Sequence, residues 1–391
     1  VFRISICVAA FWFVVRGVTL RDRVTLQDGQ TIKGDVLTEG DPIQIKLPSG
    51  EIRTFALSQI TADANGVPQI TYGLLSAWRR SAKGLLILAV VIYFPLVIPL
   101  AQRFRILLRV QGIDLSFRES VRLTFAGNFL NFTTPLGSNA GDVFKAYFAS
   151  LHTHRKTEAV TTVVLDRIIG LGTLILVAAV ITVLAMPQSR LAELRPYMLV
   201  LLIAGAVGAA FYFSPLARLV SLPTRFREMA AVQQIVRVDQ AVRVLATHGW
   251  TLAASVFLTV ALQLLALSSY FVAAIALSMK ASIALVPEYF AYFYVGAIIQ
   301  ALPGPPQGLG TVELAYRHFF ALYGSPSQII CLAFAIRLVS LISSLPGLLV
   351  TLTGSYKPKE AIEAVADPSA NSDAPQAIQP ARDLIGSAKS T

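Results

Sequence analysis

Charged and amide side chains within or beside long apolar segments are the residues of this sequence best suited to chemistry. Their positions are Asn128, Asn131, Asp142, Lys145, Asp166, Arg167, Gln300, Glu313 and Arg337. Ionisable groups in hydrocarbon cost several kcal/mol unless they have partners, so they are functional candidates by default. They could bind an anionic ligand such as phosphate, or they could form structural ion pairs that lock helices together.

Arg337 lies well inside the apolar segment 329–352, where it must face protein or water. Because a planar guanidinium can donate two parallel hydrogen bonds, an anionic phosphate is the ligand that suits it best. A structural partner is the alternative, and the candidate acids are Asp142, Asp166 and Glu313.

Asp166 and Arg167 are adjacent inside the apolar segment 160–186. Neighbouring residues on a helix point about 100° apart, so the two side chains do not face each other. Each is therefore predicted to reach a different neighbouring element. A structural ion pair and a functional role are both open for them.

Two broken segments must position these groups. In the first, residues 123–147, an apolar start is interrupted by Pro135, Gly137 and Gly141. Pro removes a backbone donor and Gly costs about 1 kcal/mol in a helix interior, so a half-helix, a turn and a second helix are predicted. In hydrocarbon the freed backbone groups need partners, so the break must be buried in protein or line a wet cavity.

The second broken segment begins with residues 289–302, which as a helix would be only about 21 Å long against a hydrocarbon core of about 30 Å. A run of Pro and Gly follows and prevents regular helix until about Thr311. This run contains Pro303, Gly304, Gly308 and Gly310. A second half-helix and a second break are therefore predicted here.

The two segments share one pattern: an apolar half-helix, an amide side chain (Asn131 or Gln300), a Pro/Gly break, and a helix with an acid and a base. Paired interruptions of this kind in corresponding halves point to the substrate site of a transporter with an inverted repeat. The acid and base could instead satisfy each other at helical spacing. They are Asp142 with Lys145, and Glu313 with Arg317.

Composition independently indicates a polytopic membrane protein. Of 391 residues, 55% are hydrophobic and 14% are charged, with a mean hydropathy of +0.64; soluble domains have about 25% charged residues. The net charge of +11 comes from basic residues beside apolar segments, which favours anionic lipid over nucleic acid as the partner. No cofactor, metal site or ATP-binding motif is predicted. The predicted spans are one in residues 1–19, then 84–101, 160–186, 197–213, 250–279 and 329–352.

Residues 20–72 change character and alternate apolar and polar residues around Asp28-Gly29 and Ser49-Gly50. Such dipeptides are typical of hairpin turns. A small antiparallel, SH3-like β module is therefore predicted, and it could bind a protein partner. Residues 83–354 form the predicted transmembrane domain, and residues 355–391, rich in Ala, Pro, Ser and charge, are a predicted disordered tail.

Lys and Arg in the loops predict the orientation of the chain. A basic amphipathic stretch, residues 102–123, is predicted to lie at a membrane interface, and its arginines mark that side as cytoplasmic. With this side cytoplasmic, the alternation of the predicted spans places residues 20–82 outside the cytoplasm.

Four motifs occur in order: NFTTPLGSNAGDVFKAY, VVLDRIIGLGTL, LPGPPQGLGTVELAY and AIRLVSLISSLPGLL. Together they resemble the lysylphosphatidylglycerol synthase/flippase transmembrane family, across roughly residues 85–354. The resemblance implies a flippase-like integral membrane protein. Because no aminoacyltransferase domain follows these motifs in the sequence, we expect lipid movement and not lipid aminoacylation.

The predicted fold is an all-α polytopic membrane protein with two broken or re-entrant helix pairs in an inverted repeat, plus the β module. The predicted function is transport of an anionic phospholipid or a polyprenyl-phosphate-type lipid in the cytoplasmic membrane. Helix N-termini after each break would add N–H donors for a phosphate. An intramembrane transferase using Asp142, Asp166 or Glu313 as its acid is one alternative. A membrane scaffold that uses the β module is the other.

Overall fold

The structure, a computed structural model, describes residues 21–38, 41–61, 70–71, 73–133, 140–151, 153, 156–184, 195–213, 230–301 and 308–352. A small β-sheet precedes a helical domain in this part of the chain. The predictions that lie outside it are the helix in residues 1–19, the tail in residues 355–391, and the site residues Pro135, Gly137, Pro303 and Gly304.

The β module is a five-stranded antiparallel sheet with the order β4-β3-β2-β1-β5. Its strands are β1 Asp22–Thr25, β2 Thr31–Thr38, β3 Ile43–Lys46, β4 Ile52–Phe55 and β5 Ile70–Thr71. Alternation along these strands collects Val24, Ile43 and Ile45 into one buried cluster. The turn residues Gly29 and Gly50 have φ angles of +81° and +89°, and the hairpins predicted at both positions are confirmed.

Asp22 connects the β module to the first helix, α1 Leu74–Arg80. Its buried carboxylate accepts the backbone N–H of Val36 at 2.8 Å and that of Gly73 at 2.7 Å. The Arg80 guanidinium donates to the Val36 carbonyl oxygen at 2.9 Å. These bonds tie the beginning and end of α1 to the middle of the sheet.

We expect Asp22→Ala to loosen the β module from α1, because it leaves two buried N–H groups without an acceptor at a cost of about 1–3 kcal/mol. Limited proteolysis of membranes should then cut the chain faster between the sheet and α1. Asp28→Ala is the matched control, since the exposed Asp28 carboxylate accepts only a local bond from the Gln30 N–H. Equal cleavage rates in the Asp22 and Asp28 variants would show that these bonds do not hold the module.

A bundle of helices follows. The first half contains α2 Lys83–Tyr93, α3 Val97–Val110, α4 Phe117–Thr133, α5 Ala140–Leu151, α6 Lys156–Leu184 and α7 Arg195–Phe213. The second half contains α8 Ala230–Thr247, α9 Gly249–Ala276, α10 Val286–Ala301, α11 Thr311–Phe319, α12 Pro326–Ser344 and α13 Pro346–Leu352. The breaks predicted near Gly141 and Gly308 separate α4 from α5 and α10 from α11.

Among the described residues, five helical stretches are long and apolar enough to cross a membrane: Lys83–Val110, Thr157–Val183, Gly249–Ala276, Ile283–Ala301 and Pro326–Ser344. They contain 19 to 28 residues, whereas spanning the hydrocarbon core takes about 20. The chain is therefore a multi-pass membrane protein, as predicted.

Two segments extend further than predicted. The first span contains a short 3₁₀ turn at Phe94–Leu96 and continues past Ala101 to Val110, so the start of the stretch predicted to be interfacial belongs to the spanning helix. In the second broken segment, helix begins at Ile283 and gives 19 residues, or about 28 Å. The estimate of about 21 Å was too short because it left out the residues before Tyr289.

Three apolar clusters lie in the helical domain. One includes Phe104 and Phe144 and belongs to α3, α4, α5 and the start of α6. A second includes Tyr292 and Tyr316 and belongs mainly to α9, α10, α11 and α12. The third, which includes Leu165, joins α3, α6 and α8. The two halves join where α13 packs on α4, at a contact so close that a Cβ added to Gly347 would overlap the Phe125 carbonyl group.

Candidate functional site: a neutral polar cavity beside buried ion pairs

A cavity of about 220 Å³ lies where the two halves of the helical domain meet. Helices α2, α3 and α4 line it from the first half, and α9, α10 and α12 line it from the second. Its polar lining residues are Asn128, Asn131, Gln300, Ser340, Ser343 and Ser344. Three of the predicted amides, drawn from both broken segments, therefore meet at one cavity.

Asn131 fixes the first break. It lies in the last turn of α4, and its side-chain oxygen accepts the Gly141 N–H at the start of α5 at 2.7 Å. Gly141 allows α5 to approach α4 there, because a Cβ added to it would lie 2.5 Å from the Gly127 carbonyl oxygen. The amide thus satisfies a helix N-terminus that hydrocarbon would leave without a partner.

Gln300 occupies the corresponding place in the second segment, in the last turn of α10. Gly308 follows the break with a φ of +62°, and a Cβ added there would lie 3.2 Å from the Gln300 Cγ atom. Gly310 has a φ of +86° and donates its N–H to Glu313 at 2.9 Å. Both positions are in the left-handed region, which glycine adopts without strain.

Arg337 on α12 pairs with Glu313 on α11. Its guanidinium donates from Nη1 to Oε1 and from Nη2 to Oε2, the second at 3.2 Å, and the Glu313 side chain is buried. Of the three acids proposed as partners of Arg337, Glu313 is therefore the one that pairs with it. Glu313 pairs across helices and not with Arg317 on its own helix, the alternative considered from spacing.

Asp166 and Arg167 reach different neighbours, as predicted. The two Asp166 oxygens accept from Arg103 Nε at 2.7 Å and from Arg103 Nη2 at 3.0 Å. Arg167 Nε lies 3.2 Å from the Asp142 carboxylate on α5. Arg103 also donates to the Thr259 hydroxyl at 2.9 Å, which ties α3 and α6 to α9.

Arg103 was missed from the sequence because it was assigned to an interfacial stretch. It is buried, and it lies in a helix whose apolar periodicity continues past Ala101 through Phe104 and Leu108. That continuing period is the signal that could have found it.

Lys145 on α5 is buried, with its Nζ atom 5.6 Å from the centre of the Phe104 ring. Helix α5 is not one of the five spanning stretches, and burial lowers the pKa of Lys145 and raises the pKa of Asp142 from their ordinary values. With Arg103, Arg167 and Asp166, these residues carry three positive and two negative formal charges. The cluster is net positive by one charge.

The two broken segments make matching contacts. In each, an acid in the first turn after the break pairs with an arginine on the next long helix: Asp142 with Arg167, and Glu313 with Arg337. An amide from the preceding helix, Asn131 or Gln300, lies against the start of the new chain segment. These parallels support a repeat, and its inverted symmetry stays a prediction.

The fold and the site define a class: a multi-pass membrane protein in which two interrupted helix pairs meet at a polar cavity. The family model described as the lysylphosphatidylglycerol synthase TM region matches residues 72–347. The chain belongs to this family, as its motifs indicated, and the match begins before residue 85, at the start of α1. No curated protein matches the chain.

Proposed function

We propose that this chain moves a membrane lipid between the two leaflets of the cytoplasmic membrane. The observation that carries the proposal is that Asn128, Asn131 and Gln300, from two segments far apart in the sequence, line one cavity. A lipid headgroup needs hydrogen-bond partners when it leaves water, and these amides offer them while the acyl or prenyl chains stay in hydrocarbon. Neutral hydrogen bonds are also weak enough for the headgroup to leave again.

The charges support an anionic lipid as the transported molecule, either a phospholipid or a polyprenyl-phosphate-type lipid. The net-positive cluster around Lys145 lies on α3, α5 and α6, of which α5 follows the first break, and the whole chain carries +11. Positive charge near a membrane attracts anionic headgroups. Asp142, Lys145, Asp166, Arg167, Gly141, Gly308, Gly310, Glu313 and Arg337 would then shape the headgroup's route, and the β module, outside the cytoplasm, could hold a protein partner.

The contacts of the acids support transport over an intramembrane transferase. Such an enzyme needs an acid or base free to exchange a proton with its substrate. Asp142, Asp166 and Glu313 are each engaged by an arginine, at positions that hold helices together. A scaffold role for the β module does not explain the cavity inside the helical domain.

The test is lipid movement by the purified chain in vesicles that contain lipids labelled on the acyl chain. We expect Asn128→Leu with Gln300→Leu to slow movement roughly 10- to 30-fold, since each lost hydrogen bond is worth about 1 kcal/mol. Gln240→Leu is the control, because it makes the same change at an exposed position on α8. Chemically altered lipid would support the enzyme, and equal rates in the double variant and the native chain would refute the cavity as the route.

A further inference from the structure

The lining of the cavity carries no acid or base among the described residues. The two segments that connect the half-helices, residues 134–139 and 302–307, contain none in the sequence either. Arg103, Arg167 and Arg337 are engaged by acids away from this lining. A charged group inside the cavity would therefore meet no counter-charge from the described lining residues, and its desolvation would be costly.

The hydrogen-bonding groups of the cavity are a mixture of donors and acceptors. Ser340 and Ser344 donate their hydroxyl protons to the Ile336 and Leu341 carbonyls of their own helix, at 3.0 and 2.7 Å, so their oxygens can only accept. The Ser340 side chain also forms a hydrogen bond with Tyr270. Ser343 is 6% exposed, and its Oγ atom is buried without a hydrogen bond to any described residue. Its hydroxyl is therefore a buried polar group beside the cavity to which the described residues supply no partner.

Asn128 and Gln300 add one amide each. Neither side chain makes a hydrogen bond to the part of the chain that the structure describes, and both line the cavity. Each amide offers an acceptor oxygen and two donor hydrogens. A hydroxyl group is likewise both donor and acceptor, whereas a phosphate only accepts and an ammonium only donates.

Aromatic rings and the aliphatic side chains of Leu96, Val97 and Leu100 form the remaining wall. Tyr93 and Tyr270 stack with ring centroids 5.9 Å apart, and Phe94 and Phe125 lie 5.9 Å apart beside them. Such faces pack against the C–H groups of a sugar ring. The volume of about 220 Å³ is large enough for one ring-sized group.

We infer that this cavity binds an uncharged, hydroxyl-rich group, namely the sugar of a glycosylated lipid. The inference rests on the proposed function in taking the cavity as the headgroup's route. The same sugar could be attached to diacylglycerol, which would make the transported lipid neutral and replace the anionic lipid proposed above, or to a prenyl phosphate, which would keep it anionic. In the second case the phosphate stays outside the neutral lining.

Binding is measured by thermal unfolding of the full chain in phosphatidylcholine nanodiscs, so that no sugar-based detergent competes. The probes are dioctanoyl glycerols that carry glucose, phosphoglycerol or phosphoethanolamine, and a short-chain prenyl-phosphate glucose. Stronger stabilisation by either glucose probe than by the other two is expected, and the better glucose probe identifies the carrier lipid. Equal or stronger stabilisation by phosphoglycerol or phosphoethanolamine overturns the inference.

Ser343→Ala separates a ligand role from a structural role. It should weaken binding of the glucose probes by roughly 2- to 10-fold, the effect of one hydrogen bond. The unfolding midpoint without ligand should not fall, because the hydroxyl has no protein partner to lose. Ser327→Ala, buried at the other end of α12 and outside the cavity lining, is the control and should change neither quantity. A lower midpoint with unchanged binding overturns the assignment.

Movement of the same lipids in vesicles distinguishes the two proposals. Selective glucose binding without lipid movement refutes the proposed function and leaves the sugar site standing. Lipid movement without any preference for the glucose lipids refutes the sugar site and leaves the proposed function standing. Neither binding nor movement refutes both.

Discussion

Arg337→Gln is expected to lower the free energy of unfolding by about 3–5 kcal/mol. The level of the protein in isolated membranes should therefore fall to a small part of its normal value. The change leaves the Glu313 carboxylate, which is 2% exposed, buried without its cation. Glu313 also accepts the Gly310 N–H at 2.9 Å, so an unpaired Glu313 would disturb the start of α11 as well. The measurements are the protein level in isolated membranes and the thermal unfolding midpoint.

A charge-neutral double variant identifies the partner. Glu313→Gln added to Arg337→Gln removes both charges and keeps an acceptor for Gly310, so the protein level should recover. The matched control adds Asp166→Asn instead, which leaves Arg103 without its acid partner and should lower the protein level further. Rescue by Asp166→Asn and not by Glu313→Gln would contradict the observed pairing.

Lipid movement by the rescued double variant then tests whether Arg337 does more than hold α11 to α12. Recovered transport makes the pair purely structural. Normal protein level without transport means that the guanidinium also acts on the headgroup. Arg337→Lys should then transport poorly, because Lys keeps the charge but loses the two parallel donors.

Gly141→Leu is expected to separate α5 from α4 and to abolish transport. Even a single added Cβ would lie 2.5 Å from the Gly127 carbonyl oxygen, a backbone atom that cannot easily move, and 2.9 Å from Asn131 Oδ1. Overpacking of this kind costs about 1–3 kcal/mol for a small group and more for a large one. Loss of the Asn131 bond to the Gly141 N–H would add to it.

A series of Gly→Ala variants tests how the loss of stability depends on the distance from the added Cβ to its nearest neighbour. Gly141→Ala should destabilise most, and Gly127→Ala should destabilise less because its added Cβ would lie 3.1 Å from the Gly141 carbonyl oxygen. Gly172→Ala on α6 is the control, since an added Cβ there meets nothing within 4 Å. The unfolding midpoints should fall in that order. A midpoint for Gly141→Ala equal to that for Gly172→Ala would show that the α4–α5 contact is not close.

Local chemistry was readable from the sequence because it depends on neighbours along the chain. Hydropathy placed four of the five spanning stretches, Asp28-Gly29 and Ser49-Gly50 placed two hairpins, and the Pro and Gly runs placed the helix breaks. The fifth stretch, Ile283–Ala301, was predicted as a helix too short to span, and the predicted span 197–213 is helix α7 but not one of the five. Boundaries were less accurate where an apolar period continued past arginines. This happened in α3, where Arg103 was assigned to the interface although the helix keeps it buried.

By itself the sequence determined the membrane class, the β module, the two broken segments and the residue types that could line a polar path. Which groups meet was decided only by the tertiary structure, because each partner comes from a helix remote in the chain. Arg103 reaches Asp166 and Thr259, and Asn128 shares a cavity with Gln300. Spacing favoured local partners for Glu313 and Asp142, but burial favours a bidentate or cross-helix arginine that also holds two helices together. Charges thus gather into pairs, and the cavity is left to neutral groups.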